Sequence, residues 1–568
     1  MGSFRRTPTP AFQLLSAVII ITFYLIYVAI HGPSDPDADV AGAGARGPEI
    51  QHRPWNGASG RAQEERAAQV REAMKYTFGK YKEHAWGFDD ILPVSGGHRN
   101  SRNGWGAFIV DSASTLALMG MWDELNLCLE RIVNVPFYSA QGLVDPFETT
   151  IRYLGGLVSI IDLSDAGVIP KDVMDLQKRT SILSQAVLLA DKLGPSFDSP
   201  TGMIWPRVDF ATNKGKDTPD EVYLKNPHKI RYEHPAIGPA RAGSNILEYR
   251  TLSRLTTFHD YFANATRAWS GLVWDEYVQD PVGLIDGPID IFTGDPVGRE
   301  RHWDAGHDSY YEYLIKAAIL APHDRYSKTY SSRWMQAVHA MRHNLTTRSS
   351  YTTSYATQHL FLGKFSGPWY LNEQSTLACF APGNLLLGAK YLNRPDISTL
   401  GLALLEGCRH SYNATTTGIG PEIWSWIPMS NLPNATFLPQ TPREERELAH
   451  LGFWAADPRF RLRPEYVESL FYAWRITGQQ RYRDWAWDAF VAYEKHCKTD
   501  FGYASIADVN DGFDTGAGKP KPRHLDEAES FWTAETLKYL YLTFADVEVG
   551  SLDRWVYNTE GHPMRMIR

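Results

Sequence analysis

Helical periodicity broken by short polar turns runs through most of this 568-residue chain. Apolar side chains recur at helical spacing in 67–81, 112–133, 247–255, 309–320 and 464–476, whereas strand-like alternation is scarce. Several stretches stop at a polar turn and restart soon afterwards. Residues 472–477 end at Gly478, followed by Gln479, Gln480, Arg481 and Tyr482 and then by 485–490, the pattern of a helical hairpin. Residues 249–257, followed by Tyr261 and Ala263, form a looser version. An acidic residue, a serine and then an aromatic residue or leucine recur from Asp308, Glu468 and Glu529, so the hairpins look like diverged repeats. A chain about twice the size at which one core stops growing needs several domains or one large repetitive architecture. Stacked hairpins either extend as a solenoid or close into an α/α toroid, and only closure gives one pocket fed by every hairpin.

The ends of the chain bound its setting. Residues 11–30 are an apolar run without a charge, long enough to cross a bilayer as a helix. Arg5 and Arg6 precede it, and Asp35, Asp37 and Asp39 follow before the next basic residue, Arg46. The positive-inside rule then leaves residues 1–10 cytosolic and the bulk lumenal. The small residues of 41–45 allow a cleaved signal peptide instead, but the run exceeds a usual signal core, which favours an uncleaved anchor. Residues 31–65, rich in Gly, Ala, Pro, Asp and Arg, read as a flexible stem, leaving 66–568 as the folded domain. Four N-x-[ST] sequons, at Asn264, Asn344, Asn413 and Asn434, suit glycan attachment in a lumenal compartment. Cys128, Cys379, Cys408 and Cys497 include no C-x-x-C pair, which argues against zinc, and the compartment allows one or two disulfides. With 57 Lys and Arg against 65 Asp and Glu, the chain has no general field for nucleic acid or anionic lipid, whereas a neutral sugar is compatible. Its 18 Trp and 29 Tyr suit sugar faces, although core packing accounts for most of them equally well.

Acidic residues recur where a core is expected. Glu465 and Glu468 share one face of a helix that Pro464 opens, among Leu470, Phe471 and Trp474. Asp308 and Glu312 sit among tyrosines, and Glu529 and Glu535 flank Phe531 and Trp532. Glu148 precedes Arg152 by four residues, and the apolar company of Phe147, Ile151 and Leu154 points to a partly buried pair with tuned proton affinity. Any one pair fits surface acids at helix N-termini, but several together do not. Paired acids in an aromatic-lined cavity, without a Gly-rich phosphate loop, an H-E-x-x-H helix or a G-x-S-x-G elbow, favour glycoside hydrolysis.

These segments resemble the class I α-1,2-mannosidases, glycoside hydrolase family 47. The likeness runs from about His84 to Pro563 and includes Asn103-Gly-Trp-Gly, Val110-Asp-Ser, Phe147-Glu-Thr-Thr-Ile-Arg-Tyr-Leu-Gly-Gly and Asp308-Ser-Tyr-Tyr-Glu-Tyr-Leu. It continues through Arg463-Pro-Glu-Tyr-Val-Glu-Ser-Leu, Glu529-Ser-Phe-Trp-Thr-Ala-Glu-Thr-Leu-Lys-Tyr and Asn558-Thr-Glu-Gly-His-Pro. The resemblance implies an all-α fold, an (α/α)7 barrel of helical hairpins plugged at one end by a terminal hairpin. It implies an inverting exo-α-1,2-mannosidase of the secretory pathway that trims high-mannose N-glycans. A Ca2+ ion would be held by the carbonyl and hydroxyl of Thr559, with water and sugar hydroxyls completing an oxygen shell. Glu465, Glu468, Glu529, Glu535 and Glu560 would orient those waters, Arg152 would join the substrate-binding set, and Phe531 would stack on sugar. Glu148 matches the general acid and Glu465 the general base, with Asp308 as a third essential carboxylate; whether Glu148 or Asp308 donates the proton stays open. Inversion calls for an acid and base about 6.5 to 9.5 Å apart. Cys379 and Cys408 match the family's disulfide, while Cys128 and Cys497 receive no assignment.

Gly306 stands where some members carry arginine and others leucine, which implies an open pocket and a Golgi-type enzyme trimming several linkages, although the endoplasmic reticulum is the other candidate. The implied protein is single-pass type II with a lumenal, monomeric catalytic domain. A quality-control relative that reads glycans on misfolded proteins with weak hydrolysis is the alternative. The retained Glu148, Asp308, Glu465 and Thr559, and an ending five residues after Pro563, favour catalysis. A structural solenoid, the third reading, would show neither calcium dependence nor inward acids.

Overall fold

A computed structural model describes residues 49–55, 60–225, 230–274, 282–350, 358–429, 437–513 and 521–567. Its main helices are α1 (Glu64–His84), α2 (Ala107–Met119), α3 (Trp122–Ile132), α4 (Gly155–Asp165), α5 (Leu176–Leu193), α6 (Ile246–Thr256) and α7 (Asp260–Val273). They continue as α8 (Asp308–Leu320), α9 (Ser327–Asn344), α10 (Phe380–Tyr391), α11 (Pro395–Asn413), α12 (Glu465–Thr477), α13 (Gln480–His496) and α14 (Leu537–Phe544). The even-numbered helices pack side by side in order, and α14 returns to α2, so they close a ring. Each odd-numbered helix from α3 to α13 backs the inner helix before it, and α1 backs α14. Six helical hairpins and the pair of α14 with α1, which joins the two ends of the domain, therefore form a closed α/α barrel of seven helix pairs.

The sequence explains which layer each helix occupies. Every residue of α2 is buried, as are all residues of α8 after Asp308, the pattern of helices with no solvent face. Outer helices bury a single stripe, as in α3, where Leu125, Cys128, Leu129 and Ile132 face inward. The turns from inner to outer helix are tight: Gly120 ends α2 at φ 69° and Gly478 ends α12 at φ 69°. Gly120 thus divides the stretch 112–133, whose periodicity alone reads as one helix, into two.

The return connections are long, so one end of the barrel, where the inner helices begin, is elaborated by loops. These loops correct the expectation of an all-α chain, because they form short antiparallel strands. The largest sheet runs Trp369–Leu371, Lys364–Ser366, Pro296–Arg301, Gly287–Asp290, Ala236–Ile237, and a smaller one joins Glu373–Ser375, Ile423–Ser425 and Trp454–Asp457. Strands this short carry too few alternating positions to register as a period of two.

The opposite end is plugged. The terminal hairpin pairs Trp555–Tyr557 with Pro563–Arg565. Arg565 N donates to Asp162 Oδ2 at 2.8 Å and Ile567 N to Leu320 O at 2.7 Å, both acceptors lying in the last turns of inner helices. The expected stem is also shorter than 31–65. Ile50 and Gln51 are buried, their N–H groups donate to Asp553 Oδ1 at 2.6 and 2.9 Å, and α1 begins at Glu64. Gln51 also donates to Val547 O and accepts from Arg475, and Trp55 packs on Trp474, contacts that the composition of the segment does not announce.

The apolar run 11–30, the tail 1–10, most of the stem and Asn434 lie outside the described residues. Among the described residues no helix is long and apolar enough to cross a membrane. Asn413 is exposed at the end of α11, Asn344 is half-buried at the end of α9, and Asn264 lies within α7. Cys379 and Cys408 form a disulfide, while Cys128 and Cys497 are buried free thiols.

Candidate active site

Backbone turns around Asp89 build the first wall. Its carboxylate accepts from the N–H groups of Arg102 (2.7 Å), Gly104 (2.8 Å), Gly106 (2.8 Å) and Ala107 (3.0 Å), gathering the 102–107 loop and capping the start of α2. Arg102 is thereby aimed into the barrel mouth, where its Nη2 meets Glu529 Oε2 at 3.0 Å and its Nε lies 3.4 Å from Glu148 Oε2.

Glu148 closes a short turn capped by Asp145, and the chain continues through a π-helical turn, Thr149–Leu154, before α4. The wider turn keeps the expected pairing: Arg152 Nε donates to Glu148 Oε2 at 2.8 Å. Arg152 also lies 3.3 Å from Asp111 Oδ2 through Nη1, and the same nitrogen bonds Glu560. A second π-helical turn, Trp532–Thr536, carries Glu535 inward.

The tip of the terminal hairpin reaches this level from below. Asn558 Nδ2 donates to Ile151 O and to Glu248 Oε1, each at 2.8 Å, while Asn558 Oδ1 accepts from the N–H groups of Glu560 (3.0 Å) and His562 (2.8 Å). His562 Nδ1 lies 3.0 Å from Ser114 Oγ, and Lys538 Nζ donates to Gly561 O at 2.6 Å. Thr559 N donates to Tyr313 OH at 3.2 Å, which in turn donates to Glu248 Oε1 at 2.7 Å. The turn is held by five elements around it, and Thr559 is left half-buried.

Asp308 and Glu465 are the first residues of α8 and α12, at the positive ends of inner helices. Burial nevertheless dominates. It pushes Asp308 up to about 7, aided by the charges of Asp304, Glu312 and Glu465. It pushes Glu465 to about 7 against the pull of Arg463, and Glu465 Oε2 is buried without a hydrogen-bond partner. Glu468 rises to about 8, since burial and the neighbouring Glu312 and Glu465 outweigh Lys316. Glu535 lies well above the usual carboxylate range through burial and the charges of Glu560, Glu468 and Glu465. Burial raises Glu560 to about 8, and the charges of Asp111 and Glu148 add to it against the pull of Arg152. Glu148 goes the other way: burial would raise it, but Arg152 and Arg102 together hold it at about 2.

The structure therefore brings together every carboxylate singled out from the sequence, along with Arg152 and Thr559. Phe531 is buried beside them, with the Arg463 guanidinium 5.7 Å from its ring centre. Arg102, Asp304, Lys364 and Glu248 were not legible as site residues. Arg102 adjoins the Asn103-Gly-Trp-Gly segment, a signal available in the sequence, whereas the others are brought in by packing alone. Gly306 is exposed at φ 99°, and open space lies where a side chain would project.

The site thus combines an ionised carboxylate, Glu148, with carboxyls whose proton affinities are raised, a set able both to accept and to donate hydrogen bonds. Comparison with known proteins agrees. Residues 73–566 match the model of glycosyl hydrolase family 47. The chain is 36% identical over 517 residues to mannosyl-oligosaccharide alpha-1,2-mannosidase 1B of Aspergillus oryzae, covering 89% of this chain and 92% of that protein. It is 35% identical over 511 residues to a mannosyl-oligosaccharide alpha-1,2-mannosidase of Penicillium citrinum, covering 89% and 92%. The solved alpha-1,2-mannosidase from Trichoderma reesei superposes with a TM-score of 0.78 at 30% identity, covering 89% of this chain and all of that one.

Proposed function

This chain belongs to glycosyl hydrolase family 47, and we propose that it is an inverting exo-α-1,2-mannosidase that trims mannose from high-mannose oligosaccharides. The observation that carries this reading is the contrast among three half-buried carboxyls at one barrel mouth. Asp308 keeps its proton near neutrality, Glu465 is poised at a similar value, and Glu148 is ionised between two guanidinium groups. Glycoside hydrolysis by inversion needs one carboxylic acid to protonate the departing oxygen and one carboxylate to take a proton from water. Glu465 is the base in this reading. The electrostatics favour Asp308 over Glu148 as the donor, with the Glu148 charge stabilising the cationic sugar that develops as the bond breaks. Incubating the protein with methyl α-1,2-mannobioside, whose leaving sugar stays locked as its methyl glycoside, and following the anomeric protons by NMR tests both parts: free mannose should appear first as the β-anomer. No mannose release overturns the activity, and α-mannose appearing first overturns inversion.

The donor set fits calcium. Glu465, Glu468, Glu535 and Glu560 influence one another's proton affinities around Thr559, and Glu465 Oε2 is an orphaned buried acceptor. Such an accumulation of negative charge is favourable when a cation shares it. Among the described residues no three His, Cys, Asp or Glu side chains converge as direct ligands, so these acids would act through water. Thr559 would supply its hydroxyl and carbonyl, its N–H being engaged by Tyr313. When bound, the ion would polarise sugar hydroxyls and orient water.

The disulfide and the exposed Asn413 sequon support an oxidising, glycosylating compartment. We place the protein in the Golgi or endoplasmic reticulum membrane, anchored by residues 11–30. The open space at Gly306 supports a Golgi-type enzyme that accepts several branches.

A further inference from the structure

The five-stranded sheet provides a wall that the bond-breaking step does not use. Pairing sets Lys364 opposite Leu371 and sets Ser366 opposite both Trp369 and Glu300, so these side chains share one face. Phe365, Tyr370 and Arg301 take the other face, and Tyr370 is fully buried there.

The first face leads into the active site. Lys364 Nζ lies 3.0 Å from both Asp304 Oδ2 and Glu373 Oε1, and Asp308 N donates to Asp304 O at 3.1 Å. Moving outward from Lys364, the same face presents Ser366, Glu300 and Trp369. Trp369 is 52% exposed, a large apolar ring left in water. The two-residue turn Gly367-Pro368, with Gly367 at φ 58°, fixes the strand that carries it. Glu300 and Trp369 are two strand spacings apart, about 10 Å. A flat ring on a rigid edge, next to a row of polar side chains continuous with the active site, matches a carbohydrate chain: an apolar ring face to stack and hydroxyls to bond.

We propose that this sheet face binds the arm of the oligosaccharide beyond the mannose being removed, with Trp369 stacking on a sugar ring and Ser366 and Glu300 bonding its hydroxyls. The proposal rests on the mannosidase reading and adds a remote subsite to it.

The test compares the wild-type chain, Trp369→Ala and Trp369→Phe on a free nine-mannose oligosaccharide and on α-1,2-linked mannobiose, which is too short to reach the sheet. Trp369→Ala should lower kcat/KM on the oligosaccharide about tenfold, mainly through KM, as expected for loss of one aromatic contact. Trp369→Phe should recover most of that loss, and mannobiose turnover should stay at the wild-type rate. Equal losses on both substrates, or no loss on the oligosaccharide, overturn the subsite. A defect seen only when the glycan is attached to protein also overturns it, because the face would then serve polypeptide. If the wild-type chain cleaves neither substrate, the mannosidase reading fails. Calorimetric titration of the oligosaccharide into wild type and Trp369→Ala then still decides the surface, with weaker binding by the variant supporting it and equal binding overturning it.

Discussion

Arg152 holds Glu148 from four residues further along the chain, its Nε donating to Glu148 Oε2 at 2.8 Å. Nη1 of the same guanidinium reaches both Asp111 and Glu560, so one buried cation links a candidate catalytic carboxylate to the turn that presents Thr559. Arg152→Ala would leave three acids without their shared partner. Breaking a buried ion network costs about 3 to 5 kcal/mol, so the melting temperature should drop sharply along with activity. Arg152→Lys should restore part of the stability but little of the activity, because an ammonium cannot reproduce the planar fork. Thermal unfolding and turnover measured side by side on both variants check this.

Glu465→Gln should preserve the fold, since the amide is nearly isosteric, but remove the group that accepts the proton from water. Loss of a general base lowers rate by about 10² to 10⁴. A Glu465→Gln enzyme turning over mannobiose at the wild-type rate would show that the base lies elsewhere.

Asp308, Glu465 and Glu468 are raised to about 7, 7 and 8 by burial and mutual charge. A carboxyl whose folded value lies above its unfolded one contributes stability that is complete below about pH 4 and is lost as pH rises through the folded value. The metal-free protein should therefore lose more stability between pH 5 and pH 8 than a Glu468→Gln variant, since His307, His359 and His562, which burial holds neutral, act in the opposite sense but equally in both. Calcium should reduce that difference by stabilising the ionised acids. Glu148, held at about 2, acts in the opposite sense, and its contribution disappears only as pH falls through that value. Melting curves of wild type and Glu468→Gln in chelator across this range, with and without added calcium, give the answer; an identical change between pH 5 and pH 8 in both would contradict the burial argument.

Thr559→Ala removes one of two proposed calcium oxygens and keeps the carbonyl. Calcium affinity should fall, and oligosaccharide binding should weaken with it. Chelation of the wild-type chain should abolish hydrolysis and lower thermal stability, since a ligand bound only by the folded state stabilises it by mass action. Calcium should restore both, and magnesium poorly, because it demands a tighter octahedral shell. Calorimetric calcium titration of wild type and variant provides a readout independent of turnover. Full activity after verified metal removal would rule out the calcium mechanism.

Local chemistry in the sequence was enough for the helical hairpins, because apolar spacing and turn glycines such as Gly478 act over a few residues. It was also enough for the Glu148–Arg152 pair, since four residues bring the two together on either an α-helical or a π-helical turn. The resemblance extended this to Thr559 and the remaining acids. What the sequence alone could not decide was anything set by distant neighbours. Asp308 and Glu465 rise while Glu148 falls, although all three are carboxyls among apolar residues, because only Glu148 lies between Arg152 and Arg102. Arg102 is there because Asp89 gathers its loop, and Ile50 is buried because Asp553, more than 500 residues away, caps its backbone. Trp369 reads in the sequence as one aromatic among many. Strand pairing alone puts it on the face that runs from Lys364 to Asp304, since register is a relation between segments and belongs to neither segment by itself.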